Sequence, residues 1–205
     1  MMRQINLSFL LGLGCMLFFS CSTYPSALRP QSTSERPTIP EYIMGTGAMS
    51  EKMLTAFLFS SNPDADTVFV QKLASMYIEE ASIENVNHDV AFSQMCLETG
   101  FLKYGNLVTP DMNNFCGLGS IDAEQTGERF PDPRTGVRAH IQHLKAYGTD
   151  EPLKQELVDP RYKWVTPKGK APDIMGLAGK WATDPRYGEK IIVLLRRLYE
   201  SSPPD

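Results

Sequence analysis

Apolar residues recur three and four apart in six stretches of this chain, and that spacing is the signature of one buried helical face. Glu51 to Phe59 reads as a short amphipathic helix. Asp64 or Asp66 caps a second helix whose Phe69, Leu73, Met76 and Tyr77 fall on one stripe. A third runs from Asn87 to Gly100, where glycine supplies the left-handed stop that commonly ends a helix. Asp132-Pro133 pairs an N-cap with proline at the first helical position, and Val137, Ile141, Leu144 and Gly148 form the inner stripe that follows. Met175 to Ala182 is read as a further helix. Asp184-Pro185 starts the last one, with Tyr187, Ile191, Leu194, Leu195 and Leu198 on a continuous apolar face. Phe115 to Ile121 is the first strand of an expected small hairpin, and Gly117 and Gly119 within it mark a place where a ligand or backbone comes close. The fold class expected is α+β, predominantly helical, with a small β hairpin lobe.

The third helix carries the most suggestive residue. Helical period puts Ala91, Gln94, Met95 and Glu98 on one stripe, so Glu98 leans toward the apolar side of its own last turn. Unpaired carbonyls at that end and partial desolvation both disfavour its ionised form, which raises its pKa. A carboxylic acid still protonated near neutral pH is what protonation of a glycosidic leaving oxygen requires. The bland alternative is a solvated surface glutamate.

The N-terminus adds a compartment. Arg3 precedes the apolar run Ile5 to Phe19, which is too short for a stable membrane span and has the layout of a signal peptide over residues 1–20. Ser20 before Cys21 resembles a lipobox, which makes Cys21 the expected acylated N-terminus and an outer membrane, on its periplasmic face, the expected location. Residues 21–50, with Pro25, Pro30, Pro37 and Pro40 among Ser and Thr, read as a tether, leaving one domain at 51–202. The chain holds 20 basic and 24 acidic residues, and loss of Arg3 with the signal leaves 19 against 24, a net charge of −5. Such a chain has no basic field for nucleic acid, and acyl chains rather than charge would hold it to a membrane. Cys96 and Cys116 would lie in a compartment that permits disulfides. They either pair across the helix and strand or remain two buried thiols. No activating positive charge near Cys96 argues for a nucleophile. His140 and His143, three apart on a helix, have no evident third ligand for a metal.

Four motifs, in order, carry a resemblance. Ala91-Phe-Ser-Gln-Met-Cys-Leu-Glu-Thr-Gly100 with Asn114-Phe-Cys-Gly-Leu118 is similar to the helix and strand signature of the glucosaminidase family of peptidoglycan hydrolases. Gly136-Val-Arg-Ala-His-Ile-Gln-His-Leu-Lys-Ala-Tyr147, Val158-Asp-Pro-Arg-Tyr162 and Lys180-Trp-Ala-Thr-Asp-Pro-Arg-Tyr187 follow as they do in that family. The resemblance covers about residues 66 to 200 and implies a lysozyme-like fold. It implies an endo-acting N-acetylglucosaminidase on the glycan strands of peptidoglycan; a monomer with no cofactor and no metal is expected.

The resemblance also distributes roles. Glu98 becomes the catalytic acid, and the second carboxylate is expected on the hairpin, with Asp122 best placed. Glu124 and Glu128 stand close behind it and are read with Tyr104 as substrate-binding. Asn114, Phe115, Trp181 and Tyr187 complete the expected groove. Trp181 occupies the position where the family carries a tyrosine, and an indole can stack on a sugar and donate one hydrogen bond but offers no phenol. Two other readings stay open: a lytic transglycosylase, in which one acid suffices, and a non-catalytic glycan-binding scaffold.

Overall fold

A computed structural model describes residues 37–105, 107–120 and 122–201. The expected signal peptide and the lipidated Cys21 lie outside these residues. Among the described residues five α-helices follow one another, and α1 spans Glu51–Ser61, α2 Thr67–Glu84, α3 His88–Glu98, α4 Pro133–Gly148 and α5 Tyr187–Ser201. Their starts are set locally. Ser50, Asp66, Asn87 and Asp132 each turn a side-chain oxygen onto backbone N–H groups of the first turn, which would otherwise lack partners. Asn85 ends α2 in the left-handed conformation, φ 58°, one residue type that tolerates it.

The helix α3 is the hub, packed by α1, α2, α4 and α5. It is buried on every side from His88 to Cys96, so polar Asp89, Ser93 and Gln94 lie in the interior with its apolar residues. Burying a polar group costs free energy unless it is hydrogen-bonded; Ser93 Oγ is buried without a hydrogen-bond partner, whereas Asp89 and Gln94 have theirs. Asp89 accordingly accepts from the backbone N–H groups of Ala48 (2.7 Å) and Met49 (3.2 Å) and from the Tyr199 hydroxyl (2.7 Å).

Those bonds correct the expected tether boundary at residue 50. Ile43 is fully buried, its N–H donates to Pro172 and its carbonyl accepts from Asn87, so residues from about 39 onward belong to the domain. Proline content alone misread a segment that the core covers. Among the described residues there is no β-strand; three isolated bridges are the whole of the extended pairing. The segment expected as a strand from Phe115 is instead a series of turns. It doubles back, with Glu128 N–H donating to the Leu118 carbonyl at 2.8 Å, but no ladder forms. The helix expected over 175–182 is one short 3-10 turn, Met175–Leu177, followed by a tight loop.

A buried ion pair fixes another long loop. Lys145 and Glu84, both fully buried, meet at 2.8 Å, and Glu84 also accepts from the backbone N–H groups of Lys154 and Gln155. The loop after α4 is thereby held against α2. Gly136 marks the closest approach of a helix to another segment, because a Cβ there would lie 1.8 Å from the Asn113 carbonyl oxygen. Only glycine lets α4 pack against the turn that leads to Asn114. No helix among the described residues is long and apolar enough to cross a membrane.

Candidate active site

Glu98 is the last residue of α3, and the chain after it turns sharply. Gly100, Phe101, Leu102 and Tyr104 all take positive φ, between 55° and 62°. Three of these are not glycine, and each such residue carries a conformational cost of roughly 1 kcal/mol or more. Specific bonds hold the turn: Phe101 and Tyr104 N–H groups donate to Cys96 and Thr99 carbonyls at 2.8 Å, and Asn62 Nδ2 donates to the Phe101 carbonyl at 2.8 Å. The turn brings Tyr104 back beside the acid.

Glu98 and Tyr104, with Leu107, Val108, Gly117 and Ser120, line a cleft of about 220 Å³. Gly117, at φ 65°, faces the acid so closely that a Cβ would stand 3.7 Å from Glu98 Oε2. Burial raises the Glu98 pKa, and hydrogen bonds from Tyr187 and Trp181 to its Oε1 offset only part of that rise. Trp181 Nε1 donates at 3.2 Å, and the Tyr187 hydroxyl donates to the same oxygen. Burial pushes the Tyr104 phenol up to about 12, so it stays neutral.

Trp181 lines a second space next to that cleft. Its ring packs against His143 (5.1 Å between centroids), Tyr147 (5.4 Å) and His140 (5.8 Å). The Tyr147 hydroxyl donates to the Lys180 carbonyl at 2.9 Å and so anchors the loop that carries the tryptophan. This second space is a cavity of about 240 Å³ that shares Gly117 and Ser120 with the cleft beside Glu98 and adds Arg161 and the exposed Trp164. Aromatic faces with a few directed polar groups suit a carbohydrate.

The remaining expected site residues divide. Tyr187 touches Glu98 directly although only 5 % exposed. Phe115 is 1 % exposed and packs near Phe69 in the main core, which corrects its expected place in the groove. Asn114 is likewise a correction. Its amide N–H groups donate to the Leu118 and Glu128 carbonyls, both at 3.0 Å, and its oxygen accepts from Leu118 N–H, so it builds the loop and offers nothing to a ligand. Asp122 is exposed and turns its carboxylate onto the N–H groups of Glu124 (3.1 Å) and Gln125 (2.9 Å). It lines neither cavity. Glu124 is also exposed, while Glu128 is half-buried, 3.9 Å from Arg161.

Sequence reasoning missed the lining from Leu107, Val108, Ser120 and Arg161, because loops without periodicity give no signal of which side faces a cleft. It also missed the second layer behind the acid. Gln94 Nε2 donates to the Tyr187 oxygen at 2.9 Å, and its carbonyl oxygen lies 3.0 Å from His140 Nε2. His143 pairs with Asp159 at 2.7 Å, so the two histidines have separate protein partners, and no cluster suited to a metal ion occurs among the described residues. Cys96 and Cys116 are free and buried, and burial drives both thiols up, which leaves them neutral.

The chain is similar to several known proteins. An uncharacterised protein of Borreliella burgdorferi is 38 % identical over 159 residues, 78 % of each chain. Among solved structures, Staphylococcus aureus autolysin E in complex with the muropeptide NAM-L-Ala-D-iGlu is similar at 17 % identity and a TM-score of 0.49, over 80 % of this chain and 74 % of that one. The catalytic domain of the autolysin Auto from Listeria monocytogenes is similar at 14 % identity and a TM-score of 0.42, over 76 % and 90 %. The family model described as mannosyl-glycoprotein endo-beta-N-acetylglucosaminidase matches residues 74–200, more than half of the chain and all of the segment that carries the cleft, and the protein therefore belongs to the glucosaminidase family of glycoside hydrolases.

Proposed function

We propose that this protein is a peptidoglycan hydrolase that cleaves the β-1,4 bond after N-acetylglucosamine within glycan strands, with Glu98 as the proton donor. The observation that carries the reading is a carboxyl group held in a largely buried position at the floor of a cleft, its pKa raised by that burial. An acid of this kind protonates the leaving glycosidic oxygen as the bond to the anomeric carbon breaks. Glu98 is the only carboxyl lining either cavity among the described residues, so the electrons that replace the leaving group come from elsewhere. The 2-acetamido oxygen of the bound sugar can attack the anomeric carbon, and water then opens the cyclic intermediate and returns the proton balance to the enzyme.

The same single carboxyl favours a second reading, a lytic transglycosylase, in which the muramyl 6-hydroxyl closes onto the anomeric carbon. Products from purified sacculi separate the two. Reducing N-acetylglucosamine ends are expected; anhydro-muramic ends would establish the transglycosylase, and binding without products would establish a scaffold. Glu98→Gln is expected to lower turnover by on the order of 10²–10⁴ with binding retained, and near wild-type turnover would overturn Glu98 as the acid.

A further inference from the structure

We propose that Gln94 and His140 are positioning residues for Glu98: with Tyr77 they form a hydrogen-bond chain of single polarity that commits the Tyr187 proton to Glu98 Oε1 and leaves the carboxyl's own proton on Oε2, facing the cleft. The inference rests on the reading of Glu98 as proton donor.

The polarity follows from the ends inward. Tyr77 is fully buried, and its hydroxyl lies 2.9 Å from His140 Nδ1. His140 is fully buried too, and burial holds it neutral with its pKa lowered to about 3, so its ring carries one N–H. The buried Tyr77 hydroxyl meets no other acceptor among the described residues, so it donates its proton to Nδ1, and the imidazole proton then lies on Nε2. That N–H meets Gln94 at 3.0 Å, and the amide must present its oxygen there and its NH₂ group to Tyr187. The Tyr187 oxygen thus receives a proton from Gln94 and has its own left for Glu98.

Oε1 then accepts two donors, the Tyr187 hydroxyl and the Trp181 indole. A carboxyl oxygen with two donors aimed at it is the carbonyl-like one. The acidic proton belongs on Oε2, which stands over Gly117, where no side chain screens it from the cleft. Around Glu98 the other titratable groups are Tyr187, Cys116 and Tyr104, all raised by burial and neutral, so the proton has no competing owner nearby. His140 is faced by His143 on its own helix and by Tyr77, Gln94 and Trp181 from the elements packed against it.

The test is the titration of the Glu98 carboxyl, followed by NMR in the folded protein with ¹³C-labelled glutamate, beside the pH profile of kcat/KM on purified sacculi. Gln94→Glu replaces the donating amide with an acceptor that draws the Tyr187 proton away from Glu98. Its Glu98 titration and the alkaline limb of kcat/KM are expected to move together to higher pH, with kcat lower by on the order of tenfold and KM little changed. His140→Leu frees the amide to turn over and is expected to move the titration in the same direction. Tyr187→Phe removes the same donor without adding a charge, and it answers the question where either other variant does not fold. A merely structural role would lower thermal stability and leave the titration in place. Glu98 titrating as in the wild type in the folded variants overturns the proposal. The carboxyl titration reads the chain even where Glu98→Gln keeps its activity, so failure of the enzymatic reading and failure of this inference give different results.

Discussion

Tyr187, the first residue of α5, donates its hydroxyl proton to Glu98, the last residue of α3, so the acid is held where the ends of two packed helices meet. Neither side chain has much water about it. The pairing satisfies the carboxyl without supplying a positive charge, and its pKa therefore stays raised.

The fold is expected to bear a cost for this acid. A carboxyl whose pKa is raised in the folded state stabilises fully below its unfolded value and loses that contribution as pH rises through the folded value. Glu98→Gln removes the titration and keeps an oxygen for Tyr187 and Trp181. The variant is expected to be more stable than the wild type at neutral pH by on the order of 1 kcal/mol, with the gap closing as pH falls below the ordinary carboxylate range. Thermal unfolding of both proteins across acid to neutral pH checks this.

Trp181 stands where the resemblance implies a tyrosine, and its indole N–H is a second donor to Glu98. Trp181→Phe keeps an aromatic ring and loses that bond. The pKa of Glu98, lowered in part by this donor, rises further, so the alkaline limb of activity is expected to move up. A hydrogen bond to an ionisable group of about 1.5–3 kcal/mol corresponds to a loss in kcat/KM on the order of tenfold to a hundredfold. Steady-state kinetics against pH measures both effects.

His140 predicts an acid-side instability. Its pKa is lowered to about 3 by burial, so it contributes stability above the ordinary histidine value and loses it as pH falls through that window. The slope from one such group is up to about 1.4 kcal/mol per pH unit. His140→Gln carries no proton to take up, and its urea midpoint is expected to fall less steeply between about pH 6.5 and 3 than that of the wild type.

Lys145 and Glu84 form a buried pair at 2.8 Å, and removing one partner leaves the other charge without compensation. Lys145→Met is expected to destabilise by about 3–5 kcal/mol. Adding Glu84→Gln relieves the uncompensated charge and is expected to recover part of the loss, although the backbone N–H groups of Lys154 and Gln155 then keep a weaker acceptor. Denaturant unfolding of the single and double variants gives the difference.

The lipid anchor at Cys21 is a proposal from sequence. Mass spectrometry of the membrane fraction is expected to find a diacylated or triacylated N-terminal Cys21. An unmodified N-terminus, or one at another residue, counts against the anchor.

The sequence by itself determined what is local. Helical spacing, the caps Asp66 and Asp132 and the glycine that follows the turn of Glu98 placed the five α-helices of the described residues within a few residues and put the acid at a helix end, because each depends on neighbours within one or two turns. Turns with several glycines read as a strand from Phe115, and proline content read as a tether before residue 50, since neither pattern reveals what the core will cover. Only the tertiary structure decided the partners of polar groups. Tyr187 and Gln94 are 93 positions apart, His140 and Gln94 are 46, and Lys145 resembles any surface lysine until Glu84 is brought against it. Hydrogen-bond partners at such separations are selected by packing, and no spacing along the chain encodes them.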